Sequence, residues 1–431
     1  MGNVAVEYNE KRFRRMIPTE PEWFYKMRRE SWEKFLNTPL PDRVTHLWRY
    51  TKPENFLISN PDPLMNSTVL PGIGVSPNGY DWQSEYSARG VEREDFTSGI
   101  VMTDQLAEAG VIIKNLRHAV NENEDIVEGY LGKLVGNDFG KFEALNLALW
   151  NTGFLLYIPD NTVIEKPIHL SRVPVGQAAS SRLLVVVGRN CQATVIDDYT
   201  SPSEKAPDIF NGVVELFVNE ASNVRYVSLQ RLSENTKMFM TQRMRAEQQA
   251  NVYTVFGSFG SKVGKFDAGS ILNGAGAESR MYGMAFGSEK QHFDHHTVHH
   301  HTHGETYSNL DVKVVLKDRA VSAYTGLIRI EEHADVSEAY QENRNLLLNE
   351  NTQADSIPEL EILTDQVSCS HGATVGPIDP EMIFYLRSRG YSMEEAVRAI
   401  VTGFVEPTFK EVPEDLRDNL RKAVLEKLEA E

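Results

Sequence analysis

A turn ending in alanine returns at a nearly fixed step through the middle of the chain. It reads Asn190-Cys191-Gln192-Ala193, then Val218-Asn219-Glu220-Ala221, then Glu247-Gln248-Gln249-Ala250, then a turn over 273–277 ending in Ala277. The alanines stand at 193, 221, 250 and 277, so the step hardly changes from one turn to the next. Between the turns lie short runs rich in Val, Ile, Tyr and Thr, at 183–187, 213–218, 224–229, 252–256 and 312–316. Runs this short and evenly spaced read as strands. A period in the twenties, with strands and no helix in the unit, is what a β-solenoid requires, because each coil buries its face only against the next. A sandwich of unrelated hairpins would not demand a constant step. Similar turns come back at Glu331-Glu332-His333-Ala334 and Asn351-Thr352-Gln353-Ala354, but these two are set more closely together. The expected fold is mainly β: a solenoid core over 155–376, a helical region with connecting loops over 1–154, and a helical region over 377–431.

Helical spacing supports the two flanks. After Glu20-Pro21-Glu22, the residues Trp23, Met27, Trp32 and Phe35 recur at helical intervals until Pro39 and Pro41. Trp48-Arg49-Tyr50 reads as extended, and 53–100, rich in Pro, Gly, Ser and Asn, as connecting structure. Further helices are expected over 104–109 and 138–151. Near the other end, 380–389 forms a helix stopped by Gly390. Ser392 caps the next, with Glu395 in capping-box register, through Ile400. After Pro413, a helix over 414–429 carries Leu416, Leu420, Val424 and Leu428 at i, i+4. That stripe either packs back on its own domain or docks on a partner.

Composition narrows the function classes. With 44 Lys+Arg against 61 Asp+Glu among 431 residues, the net charge is −17. This argues against nucleic acid or an anionic membrane as partner, since both are bound by clustered cations. Two cysteines, Cys191 and Cys369, cannot make a disulfide framework and suit a reducing compartment. Residues 1–15 contain no apolar targeting core, so a cytoplasmic location is expected. Gly260-Ser261-Lys262-Val263-Gly264-Lys265 resembles a phosphate loop but has its glycines too close, and Phe266 stands where a magnesium-binding hydroxyl belongs. No ATP site is expected in the chain.

Two segments carry candidate chemistry. Seven of the 12 histidines fall between His292 and His303. On a strand, His299, His301 and His303 would share one face with His300 opposite; on a helix, His292, His295 or His296, and His299 would align. With Asp294 nearby, His295, His296, His299, His301 and His303 are candidate metal ligands, or else a stacked ladder of imidazoles. The second segment is Cys369-Ser370-His371. Two positions apart on a strand, Cys369 and His371 project to one face, where thiolate and imidazole can hold a soft metal or an iron–sulfur unit, or form a nucleophile–base pair. Cys191 reads as core.

The second segment also carries a resemblance. Cys369-Ser370-His371-Gly372-Ala373-Thr374-Val375-Gly376, followed by Ile383-Phe384-Tyr385-Leu386-Arg387-Ser388-Arg389-Gly390, closely resembles the C-terminal signature of the SufD branch of the SufB/SufD family. Asn343 to Leu348, Pro358 to Ile362, Tyr324 to Ile328 and Trp48-Arg49-Tyr50 match as well, so the likeness covers about residues 20 to 405. The resemblance implies a right-handed parallel β-helix flanked by helices. It implies a non-catalytic scaffold for iron–sulfur cluster assembly, paired with a SufB-like paralogue and with the ABC-type ATPase SufC, and holding a transient cluster or iron shared with SufB. His371 matches the family's functional histidine at the interface, with Cys369 beside it. Ile383, Phe384, Tyr385, Leu386, Arg387, Val397 and Ile400 match the region that docks on SufC. Gly372 stands where the SufB branch has Glu, and Thr352 where SufB carries its cluster-building Cys, which favours the SufD branch. The competing readings are a SufB-like homodimer and a metal-dependent β-helix enzyme built on the 292–303 tract.

Overall fold

The computed structural model describes residues 20–44, 46–58, 64, 85–93, 98–201, 206–410, 412 and 414–429. The expected start of the last helix at Pro413, most of the connecting structure over 59–84 and the segment 1–19 lie outside them. From Phe154–Ile158 onward, successive strands alternate between a ten-stranded and a nine-stranded sheet, and neighbours within each sheet run parallel. One strand of each sheet makes a coil, so the sixteen strands from Phe154–Ile158 to Val367–Pro377 stack as eight coils. The expected parallel solenoid is present.

The repeat is real, but its marker is not alanine. Register aligns Gln192, Asn223, Asn251 and Glu278, so the coils shorten slightly along this stretch. On that alignment Ala193 follows the reference position, Ala221 precedes it by two, and Ala250 and Ala277 precede it by one. What recurs is a backbone conformation. Asn161, Asn190, Ala221, Gln249, Gly276, Glu305 and Val336 all have φ between 54° and 70°, and each sits two positions before the aligned strand residue. The corner needs a left-handed residue to turn from one sheet to the other. The two closely set turns lie at opposite corners: 331–334 precedes Ser337–Leu347 of the ten-stranded sheet, while 351–354 leads into Gln353–Ile362 of the nine-stranded one.

Alternation decides what fills the solenoid. In the first coils the inward residues are mostly apolar, among them Leu183, Val185, Val187, Leu216 and Val218. They pack around a buried ion pair, Arg172 with Asp197, whose carboxylate also accepts from the Tyr199 and Tyr226 hydroxyls. The start of the solenoid is closed. Ile112–Asn115 pairs antiparallel with Phe154–Ile158, and Ala88–Arg93 with Ser98–Met102, so the sheets begin well before residue 155. Helices Leu116–Glu122 and Glu124–Tyr130 bury Leu116, Ala119, Val120 and Val127 with Phe24, Trp150, Leu155 and Leu184. These two helices are unexpected, because 121–125 is wholly polar; the Asn115 side chain caps the first by accepting from the Arg117 amide. The expected helices are Glu22–Asn37, Asp104–Glu108 and Lys141–Leu149. Trp48 is not extended: it ends the 3-10 turn His46–Trp48 and stacks on Phe239 at 5.8 Å, beside Phe56 and Phe142.

Three helices follow the last strand: Pro380–Ser388, Met393–Phe409 and Glu414–Glu429. The Ser392–Glu395 capping box forms as expected, but its helix continues to Phe409 instead of ending near Ile400. Val401, Val405 and Phe409 pack on Val255, Met284, Phe286 and Val315 of the ten-stranded sheet, and Leu420 and Val424 join them. The charged helix therefore packs back on its own domain. No helix among the described residues is long and apolar enough to cross a membrane.

Candidate functional site

Among the described residues, the solenoid has no cap at its far end. Gln353–Ile362 and Val367–Pro377 are the last strands of their sheets, and each has one strand neighbour. The final strand reads Val-Ser-Cys-Ser-His-Gly-Ala-Thr-Val-Gly-Pro, without a single Lys, Arg, Asp or Glu. Native edge strands normally carry charges that block further pairing. This one does not, so its unpaired backbone groups are open to another strand.

Cys369 and His371 sit on this edge and face inward. Cys369 pairs in register with Ala339 and packs near Ile328, Ile330 and Ile362 of the opposite sheet. It is half-buried, and burial raises its thiol pKa. His371 is two positions on, in register with Gln341, and remains exposed because no coil covers it. The strand reading of this pair, both side chains on one face, is what the structure has. Thr352 lies in the corner before Gln353–Ile362, its hydroxyl donating to the Asn349 carbonyl at 2.6 Å. Cys191 is buried near the Pro159 carbonyl, as core.

Sequence reasoning passed over the shell behind His371. One coil back, the inward residues of Ser337–Leu347 are Gln341, Asn343 and Asn345, all buried. Asn343 donates to the Val312 carbonyl, and Asn345 to Asn343 and to the Thr374 carbonyl of the edge strand. The signal that would have found them is the period: one coil length before His371 stands Gln341.

The histidine tract forms strand His292–His301, between Val263–Leu272 and Val321–Ile330. Its helical alternative is thereby removed. His295, His299 and His301 face into the solenoid with Phe293 and Thr297. The His295 ring lies among Phe256, Phe266 and Phe293 and meets the Ser258 hydroxyl at 2.9 Å. His299 meets Ser279, and His301 meets Thr306 and Ser308. Burial pushes His295 down to about 4, His299 to about 3 and His301 to about 4, so all three are neutral imidazoles of the interior. His303 falls beyond the strand, exposed, with Nδ1 near its neighbour's carbonyl.

The outward face of the tract is covered in part by 47–51. His292 meets the Thr51 hydroxyl at 3.0 Å, and Lys265 bonds both Asp294 and the Leu47 carbonyl. His296 meets Asp294 at 2.7 Å. Burial would raise the Asp294 carboxyl, but His296 and Lys265 hold it well below the usual range. Among the described residues, no three His, Cys, Asp or Glu side chains converge tightly enough to hold a metal ion within this one chain. An ion at either segment would draw ligands from a partner or from rearranged side chains.

Helix Pro380–Ser388 has no buried residue. Phe384 is 75% exposed, and Met382 and Tyr385 are more than half exposed, while Ile383 and Leu386 are half-buried and Arg387 is exposed. Val397 and Ile400 lie on the next helix, Met393–Phe409. Both are half-buried, and Val397 packs against the core beneath its own helix.

Among the described residues the solenoid is closed at its start and open at its end, and a helix with no buried residue follows the last strand. The SUF system FeS cluster assembly, SufBD core domain, matches residues 171–404, and the SufBD protein N-terminal region matches 93–170. The chain belongs to the SufBD family of iron–sulfur cluster assembly proteins. It is 29% identical over 416 residues to the iron-sulfur cluster assembly protein SufB of Bacillus subtilis, covering 91% of this chain and 87% of the relative. A SufBD family protein of Staphylococcus saprophyticus is 28% identical over 419 residues, with 91% and 87% coverage. One from Staphylococcus aureus is 28% identical over 422 residues, with 92% and 87%.

Proposed function

We propose that this chain is the SufD-like, non-catalytic member of a cluster-assembly scaffold. It pairs through its open coil with a SufB-like paralogue, docks an ABC-type ATPase on its C-terminal helices, and presents His371 to iron or a nascent iron–sulfur cluster at the interface. The observation that carries the reading is the uncharged edge strand with Cys369 and His371 facing into the open end. A partner coil stacked there would enclose both side chains and bring ligands this chain lacks. The cluster is cargo: neutral imidazole offers iron a nitrogen ligand, and Cys369 can add a thiolate once its raised pKa is overcome by the metal. Gly372 and Thr352, in place of a carboxylate and a thiol, favour the SufD side of the pair.

The ATPase contact is assigned first to Ile383, Phe384, Tyr385, Leu386 and Arg387, whose helix has no cover of its own, with Ile400 flanking and Val397 supporting from beneath. ATP-driven dimerisation of the ATPase would pull on the helices that continue directly from the edge strand, and so strain the interface at His371. The likeness to a SufB keeps a homodimer as the second reading, and the two differ in whether the chain alone forms a stable pair. Replacing His371 with Ala and reconstituting with the SufB-like paralogue and the ATPase tests the ligand role. Loss of the visible absorbance of the assembled cluster supports it; unchanged absorbance removes it.

A further inference from the structure

We infer that Gln341 is a positioning residue for His371, fixing which imidazole nitrogen carries the proton, and that Gly326 exists to make room for it. The inference rests on reading His371 as the functional histidine. The inward row that ends at His371 is Tyr226, Thr254, Met281, Leu310, Gln341, His371, each in register with the next. Just behind His371 the row leaves the apolar residues Met281 and Leu310 for a carboxamide that is 4% exposed. Gln341 reaches across the interior, where its Nε2 donates to the Gly326 carbonyl of the opposite sheet at 3.2 Å. Its Oε1 is buried and has no donor among the described residues. A buried acceptor left unmatched costs about 1–3 kcal/mol, so its retention calls for a partner. The Tyr324 hydroxyl also lies beside Gly326 but is paired with Thr297. The next inward residue in register with Gln341 that has a donor, and no coil beyond it among the described residues, is His371.

Position 326 must be glycine for this arrangement. A Cβ there would lie 2.7 Å from Gln341 Oε1 and 2.6 Å from the Tyr324 hydroxyl, too close for either to stay. The Tyr324 hydroxyl is itself held by the Thr297 hydroxyl at 2.7 Å, so it cannot simply swing away. Gly326 therefore lets the carboxamide lie flat across the core with Nε2 anchored and Oε1 free. An imidazole that donates one ring N–H to this oxygen presents its other nitrogen, as a bare lone pair, to whatever enters the open end. A metal takes that lone pair, and the ligand's orientation is set by the hydrogen bond behind it.

The test is read on the free, full-length chain, by nitrogen NMR of selectively labelled histidines above the ordinary imidazole range, with His371→Ala assigning the signal. The expected result is a single tautomer for His371, with one protonated-type and one bare-type ring nitrogen. Gln341→Met, close in volume but without an acceptor, should draw the two nitrogen shifts toward their mean, while Gln341→Glu should keep them apart. Gly326→Ala should also draw them together. Unmoved His299 and His301 signals show the interior intact. His371 shifts unchanged in both Gln341→Met and Gly326→Ala overturn the inference, as does a Gln341→Glu spectrum matching that of Gln341→Met. Because no cluster is involved, this failure is separate from a failure of His371→Ala to alter assembly.

Discussion

The two ends of the solenoid are built from the same kind of coil and finished in opposite ways. At the start, antiparallel strands turn the sheets back and helices bury Leu116, Val120 and Val127 against the first coils. At the other end the last strand has one strand neighbour among the described residues and no charge, and its inward residues His371 and Val375 stay exposed. The first end stabilises this chain alone. The second leaves apolar and hydrogen-bonding groups unmatched among the described residues, a finish that suits an edge open to pairing.

That contrast can be broken most forcefully at the closed end. Trp150, 1% exposed and packed with Phe24, should cost about 3–5 kcal/mol when changed to Ala, seen as a lower urea midpoint. At the open end a change of similar boldness should do the reverse. Ala373→Lys places an inward charge on the edge strand, and the urea midpoint should barely move. Pairing with a SufB-like partner should nevertheless weaken by roughly 100-fold, about 2.7 kcal/mol, in a titration of the two proteins.

The interior between the ends sharpens the picture through pH. His295, His299 and His301 are held neutral by burial, with folded values of about 4, 3 and 4 against an unfolded value near 6.5. The unfolded chain therefore binds more protons below pH 6.5, and stability falls as pH drops from there toward the folded values. Each histidine should cost on the order of 2 kcal/mol by pH 5. Glu92 acts in the opposite sense. Burial raises it to about 7, so acidification from pH 7 to its unfolded value relieves a cost. The net fall should be visible in urea midpoints and shallower in His299→Asn. The smallest effect concerns the corner before the open coil. Val336 holds φ at 61° while 66% exposed, and Val336→Gly should raise stability by up to about 1 kcal/mol in thermal melts.

The solenoid was legible because its strands alternate and its coils keep a nearly constant length, a periodicity that hydrophobic runs record. Its corner was not. The left-handed position is filled by Asn, Ala, Gln, Gly, Glu and Val, so the backbone repeats where the side chains do not. The helices over 116–130 stayed hidden for a related reason: their polar sequence becomes helical through the Asn115 cap and burial of a few apolar residues. Cys369 and His371 were readable as a same-face pair from their spacing alone. That the tract would turn three histidines inward was not, since composition cannot tell which face of a strand meets the core. Gln341 was invisible for want of a register, and once the coil length is known it lies one step behind His371.

If the open coil is where a partner completes the molecule, its backbone amides must change on pairing. Amide hydrogen exchange across 353–377, with and without the SufB-like paralogue, tests it most directly. Fast exchange in the free chain and strong protection of Val367–Pro377 on mixing is the predicted result. Protection confined to other surfaces, with this strand exchanging as before in the complex, would contradict it.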